Sequence, residues 1–286
     1  MPAGKGGDGG DKELSSFLMN SIKNSEKKIL PGWLQLLIAL LVFGVAVVAQ
    51  AETGSGGEQG KSGQTVLITG ANRGIGLELA RQYSAAGWDV IGTARKPDAA
   101  VELRKLAAKI VQLDVTDPSS VARMARDLAG TPIDMLINNA GIQPLMWKLA
   151  EVDFDDFERA LAVNTVGPVR VTRALVPNLR LSEYRRIINI TTNLSSIADN
   201  TDGGFYGYRE SKAALNMFTK SLAAEFGPEG FICIVMHPGW VKTDLGGPQA
   251  PLQVEESASG IRAVIESLTA ADNGAFRTWA GEEMAW

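Results

Sequence analysis

From Thr65 onward, six short apolar runs recur: "TVLIT", "DVIGT", "KIVQL", "MLINN", "RIINIT" and "FICIVMH". Longer stretches with helical spacing separate them, such as "PSSVARMARDLAG" and "DFERALAVNTVGPVRVTRALVP". This alternation constrains the fold more than any other feature of the chain. A strand that is apolar on both faces has no solvated side, so both faces must be covered. A helix between successive strands covers them and lets every strand run in the same direction. The pattern predicts one α/β domain over residues 65–286, a doubly wound parallel sheet of the Rossmann type.

Upstream the composition is different. Residues 1–28 are rich in Gly and polar side chains and read as a disordered tail. "WLQLLIALLVFGVAVVA", Trp33 to Ala49, carries no charge and is just long enough to cross a bilayer. Residues 29–51 therefore read as a signal or membrane anchor, with residues 52–64 as a flexible linker. Lys23, Lys27 and Lys28 precede the apolar run, and Glu52 and Glu58 follow it. The positive-inside rule then carries the later domain across the membrane. "AQA" at Ala49–Ala51 matches a small-x-small cleavage pattern, so a cleaved signal and an uncut anchor both stay open. A cytoplasmic location is the alternative, because Asn193-Leu-Ser195 is a glycan acceptor sequon. The sequence leaves a homo-oligomer open.

Composition excludes several classes. A net charge of -4 gives no reason to expect a nucleic-acid partner. The single Cys233 allows no intrachain disulfide and reads as a buried thiol. The single His237, without a cysteine cluster, argues against a metal site and against a Ser-His-Asp triad.

The first apolar run leads directly into "TGANRGIGLELARQYSAAG". Gly70, Gly74 and Gly76 let the backbone turn tightly and approach a pyrophosphate, and the following helix offers free N–H groups at its N-terminus. About 20 residues further on, an NAD site presents Asp or Glu to the ribose 2′-hydroxyl. This chain instead has Arg95 and Lys96, which suit a 2′-phosphate, with Arg73 as a second cation. NADP is the expected cofactor over NAD. Tyr208 and Lys212 lie four apart and share a helix face. An ammonium beside the phenol, and an oxidised nicotinamide, are expected to lower its pKa.

In combination, "TGANRGIG", "NNAG" at Asn138–Gly141, Y-x-x-x-K at Tyr208–Lys212 and "HPGWVKTD" resemble the short-chain dehydrogenase/reductase family across residues 65–286. "GGFYGYRESKAALNM" and the closing "MAW" resemble its C-factor-like and sniffer-like carbonyl reductases. The resemblance implies Tyr208 as catalytic acid/base, Lys212 as its partner and Asn164 as the asparagine of the proton relay. It assigns the cofactor to the loop of Gly70, Asn72, Arg73, Gly74, Ile75 and Gly76, with Asp114 and Val115 flanking the adenine. Asn138, Ala140 and Gly141 fall on the ribose side. Pro238 to Val241, including Gly239, meet the nicotinamide, with Thr243 in the same loop.

The substrate hydroxyl has two candidates in "IINITTNLSSIADN". Spacing back from Tyr208 points to Ser195, whereas anchoring on the strand end, where the family reads "IINISS", points to Thr192. The strand fixes position better than a loop of variable length does, so Thr192 is the expected residue and Ser195 is expected to be expendable. Leu245, Leu252, Trp240 and Met146 are candidates for an apolar substrate wall. The implied activity is NADPH-dependent reduction of an aldehyde, ketone or quinone. Two alternatives remain: an NAD-dependent alcohol dehydrogenase, and a dinucleotide-binding signalling protein without turnover.

Overall fold

The computed structural model describes residues 63–286, so the tail, the hydrophobic segment and most of the linker lie outside the described residues. Seven parallel strands form one sheet: β1 (Thr65–Ile68), β2 (Asp89–Ala94), β3 (Lys109–Gln112), β4 (Met135–Asn138), β5 (Arg186–Ile190), β6 (Ile232–His237) and β7 (Phe276–Thr278). Their order is β3-β2-β1-β4-β5-β6-β7. The six apolar runs supply the first six strands. β7 was not anticipated, because its three residues "FRT" bury only the aromatic ring at the sheet edge.

The two-sided apolar character has a direct structural counterpart. Val66, Ile68, Met135, Ile137, Ile188, Ile190, Ile234 and Met236 pack on one face. That face is covered by α1 (Gly74–Ala85) and α7 (Val254–Ser267). The intervening Leu67, Leu136, Ile187 and Cys233 pack on the other. There α3 (Pro118–Asp127), α5 (Gly167–Leu179) and α6 (Tyr208–Phe226) cover them. The short α2 (Val101–Arg104) follows β2, and α4 (Phe154–Leu161) precedes α5. With a side-chain period of two, each strand feeds both cores at once. Cys233 is a buried free thiol.

Topology then places the site. The chain moves outward from β1 to β2 and β3, then returns to pair β4 with the other side of β1. A crevice opens over the carboxyl ends of the strands where this order reverses. The C-terminal segment also reaches that end of the sheet: the Ala198 N–H donates to the Trp286 carbonyl at 3.0 Å, and the Trp286 ring packs on Phe276. Among the described residues, no helix is long and apolar enough to cross a membrane.

Candidate active site

The glycine loop leaves β1 with its backbone still tied to both neighbours. Thr69 N–H donates to Ile137 O, and Ala71 N–H donates to Thr93 O, each at 3.0 Å. Gly70 has φ +65 and a Cβ there would lie 3.0 Å from the Ala140 Cα, so the β1 and β4 loops touch through a glycine. The α1 N-terminus has no side-chain cap and no acidic residue in its first turn. Its free N–H groups and dipole fit an anionic ligand such as a pyrophosphate. Asn72 is exposed at this end, while Ile75 packs back against the core.

The cations are arranged less simply than their sequence positions suggest. Arg95 is exposed at the end of β2, close enough to Asp114 to help hold its carboxyl below the usual range. The larger causes there are hydrogen bonds from the Thr116 hydroxyl and backbone N–H. Val115, next to it, is buried against Gly167. Arg73 instead pairs with Asp244 at 2.8 Å, a contact between two largely exposed side chains that ties the glycine loop to the loop after β6. A role for Arg73 at a 2′-phosphate requires that weak pair to exchange.

The two asparagines of "NNAG" divide the work. Asn138 ends β4 on the same face as Leu136, and its amide donates to Thr172 and Asn189 inside the protein. Both protons of its amide thus tie β4 to its neighbours, while its Oδ1 is buried without a partner. Asn139, which sequence reasoning missed, donates from Nδ2 to Thr69 O at 2.9 Å and to Gly70 O at 3.2 Å. Thr69 Oγ1 in turn accepts from the N–H groups of Asn139 and Ala140. Gly141 then passes close to the tyrosine–lysine face, since a Cβ there would lie 3.5 Å from Lys212 Nζ.

Tyr208 stands in the first turn of α6. The preceding "GGFYG" makes this abrupt start: Gly203, Gly204, Phe205 and Gly207 all have positive φ, and Glu210 caps the Gly207 N–H. Phe205 holds its left-handed conformation with its ring packed on Trp147. Lys212, one turn on, is buried and donates to Ile190 O at 2.7 Å, where β5 ends. Thr192 is the side chain near enough to the Tyr208 hydroxyl to draw its pKa down, while its own hydroxyl accepts from Leu194 N–H and donates to Asn193 Oδ1, each at 3.2 Å. Of the two hydroxyl candidates, the structure brings Thr192 to the tyrosine. Ser195 is only 3% exposed and bonds Thr192 O, Thr191 and Asn216. It is committed within the protein, so the expectation that Ser195 is expendable is revised.

Burial dominates the electrostatics. It pushes the Tyr208 phenol up to about 12, against the smaller lowering effect of the Thr192 hydrogen bond. The lowering expected from Lys212 together with an oxidised nicotinamide concerns the cofactor-bound site; in the chain by itself burial outweighs it, and burial also pushes Lys212 down to about 8.

Asn164 lies in a wide π turn, Ala162–Val166, between α4 and α5. Its amide accepts from Ile142 N–H and donates to Ile142 O and to Ser211 Oγ. Both amide protons are used, so the side chain joins α6 to the loop after β4 and only the main chain of Asn164 is left for a relay. Beyond β6, Pro238 O accepts from Ser257, while Gly239 (φ +86) lies against Leu252 and Trp279. Val241 is buried, and the Thr243 hydroxyl closes the turn by accepting from Gly246 N–H. Of the expected apolar wall, Trp240 and Leu245 are exposed, whereas Met146 and Leu252 are buried. His237 is largely buried and its pKa is pushed down to about 4 by desolvation. Among the described residues, no group of His, Cys, Asp and Glu could hold a metal.

Comparison with known proteins agrees with this geometry. The family described as short chain dehydrogenase matches residues 64–252. C-signal of Myxococcus xanthus is 44% identical over 162 residues, spanning 57% of this chain and 98% of that protein. The carbonyl reductase Sniffer of D. melanogaster superposes with a TM-score of 0.74 at 35% identity, covering 78% of this chain and 99% of that one. An NADPH-bound carbonyl reductase from chicken fatty liver gives 0.70 at 35% identity, covering 79% and 100%.

Proposed function

Because the chain belongs to the short-chain dehydrogenase family, we propose that it is an NADPH-dependent carbonyl reductase with Tyr208 as general acid. The observation that carries this reading is the buried Tyr208 phenol close to Thr192, one turn from the buried Lys212, at the carboxyl edge of the sheet that also carries the glycine loop. Burial keeps the phenol protonated, and the oxygen that receives hydride becomes an alkoxide, a base strong enough to take the proton even from a phenol raised in this way.

When bound, NADPH supplies the hydride. The chain's own residues do the rest. Gly70, Gly74, Gly76 and the open α1 N-terminus fit the pyrophosphate, Arg95 fits a 2′-phosphate, and Gly141 with Lys212 borders the ribose and nicotinamide end. Thr192 and Tyr208 hold the carbonyl oxygen between two hydroxyls, and Tyr208 gives that oxygen its proton as charge develops there. The bound NADPH of the chicken enzyme supports the choice of cofactor, and Arg95 in place of an acidic residue supports it independently.

The test is oxidation of NADPH by the purified full chain against a panel of aldehydes, ketones and quinones, with Tyr208→Phe alongside. The parent is expected to reduce members of the panel, and the Phe variant to bind NADPH but lose nearly all turnover. NADPH binding without turnover of any carbonyl would favour a binding protein instead.

A further inference from the structure

Tyr208, Lys212 and Asn216 are spaced four apart on α6 and share one face of that helix. The turn Thr191–Ser196, which leaves β5 and carries Thr192, lies over this face. Asn216 Oδ1 accepts from Thr191 Oγ1 at 2.8 Å, and its Nδ2 donates to Ser195 Oγ at 2.9 Å. Ser195 Oγ donates to the Thr192 carbonyl oxygen. Thr191, Thr192, Ser195 and Asn216 are all buried.

Counting protons fixes the sense of this network. The Thr191 proton is spent on Asn216 and the Ser195 proton on Thr192 O, so the 3.1 Å contact between the two hydroxyls holds no proton of its own. With the amide reversed, its oxygen would face Ser195 and draw that hydroxyl away from the Thr192 carbonyl. One orientation of Asn216 therefore grips the Thr191 side chain and, through Ser195, the main chain of Thr192. Adjacent side chains on extended backbone alternate in direction, so fixing the Thr191 side chain and the Thr192 carbonyl also fixes the direction in which the Thr192 hydroxyl leaves the turn.

We propose that Asn216 is a positioning residue for the reaction: through Thr191 and Ser195 its amide fixes the turn that presents Thr192 to Tyr208. This rests on the reading of Thr192 and Tyr208 given above. Asn216 lies beneath the turn and works only through its neighbours.

The experiment is a mutant cycle on the full chain, with NADPH and whichever carbonyl of the panel is reduced fastest. Thr192→Val and Asn216→Ala are each expected to lower kcat about tenfold, the effect of one lost hydrogen bond in the transition state, while the NADPH Kd of Asn216→Ala stays within about twofold. In a Thr192→Val background, Asn216→Ala is expected to cause no further loss in kcat, because its effect passes through the missing hydroxyl. Ser195→Ala, which removes a single oxygen and guards against an Asn216 variant that fails to fold, is expected to act in the same direction and to vanish in the same background.

Independent, multiplying losses in the double variants would overturn the proposal, as would a loss confined to NADPH affinity. Parental kcat in Asn216→Ala and Ser195→Ala, beside impaired Tyr208→Phe and Thr192→Val, would sink this inference alone. Near-parental turnover in Tyr208→Phe, or a panel with no substrate, would sink the proposed function and this inference with it.

Discussion

Gly76→Ala tests whether the glycine loop is held by the contact that sequence reasoning missed. A Cβ at Gly76 would lie 2.5 Å from Asn139 Nδ2 and 2.6 Å from Gly70 O. Ordinary contact begins near ~3.5 Å, so something must retreat by about 1 Å. The amide of Asn139 cannot withdraw without losing its bonds to Thr69 O and Gly70 O. Two hydrogen bonds at about 1 kcal/mol each, with overpacking of about 1–3 kcal/mol, outweigh the ~1 kcal/mol that Ala gains over Gly in a helix. The net loss is about 3 kcal/mol, or a fall in Tm of about 6–12 °C for a domain of this size. The shift also moves the first-turn N–H groups of α1, so NADPH affinity should fall at least about tenfold, the effect of ~1.4 kcal/mol. Thermal unfolding without cofactor and fluorescence titration with NADPH measure the two effects. Asn139→Ala in the same chain removes one clash and leaves the backbone one, so it should not restore the parent. Parental Tm and affinity in Gly76→Ala, or full rescue by Asn139→Ala, would refute the reasoning.

Other expectations follow from the same geometry. Arg95→Asp should weaken NADPH about 10–100-fold more than NADH, the range of one lost charge-assisted bond; equal effects on the two cofactors would show that Arg95 does not read the 2′-phosphate. Lys212 has a folded pKa of about 8, below its ordinary 10.5, so its contribution to stability is fully present above pH 10.5 and is lost as pH falls towards 8. The stability of the parent relative to Lys212→Met should accordingly rise from pH 8 to pH 10, the point at which a tyrosine in the unfolded chain begins to ionise; a flat difference across that window in denaturant titrations would mean that Lys212 is not desolvated.

The parts of the site legible in the sequence are those set by local rules. Apolar runs over four to six residues announced six strands, and a run that is apolar at every position announced two covered faces. A spacing of four put Lys212 under Tyr208 without any tertiary information. What escaped were contacts between residues remote in sequence. Arg73 meets Asp244 across 171 positions, which no motif records. Asn138 and Asn139 look equivalent in "NNAG", yet period two puts the side chain of Asn138 on the face of Leu136, towards α5, and leaves Asn139 for the glycine loop. The burial of Tyr208 escaped for a related reason: the neighbouring ammonium is visible as a letter, whereas the loss of water around the phenol is a property of the whole fold.

Three asparagines hold the site together, and their chemistry explains why this residue type recurs. Asn139 joins the β4 loop to the glycine loop, Asn164 joins the same β4 loop to α6, and Asn216 joins α6 to the turn after β5. Asn139 spans loops that leave two different strands and the other two join such a loop to α6, so each must offer both donors and acceptors in one short, stiff group. A hydroxyl has one proton and reaches too few partners; a carboxylate or ammonium would have to be buried with its charge, at a cost that its pKa shift would expose. The neutral amide supplies two protons and an acceptor at no charge penalty, and Asn164 uses both protons and its oxygen. Fully satisfied amides of this kind rigidify a buried polar region, whereas a half-satisfied one would loosen it. On the proposed reading, then, the hydroxyls of Thr192 and Tyr208 perform the chemistry, and the amides beneath them determine that the two meet.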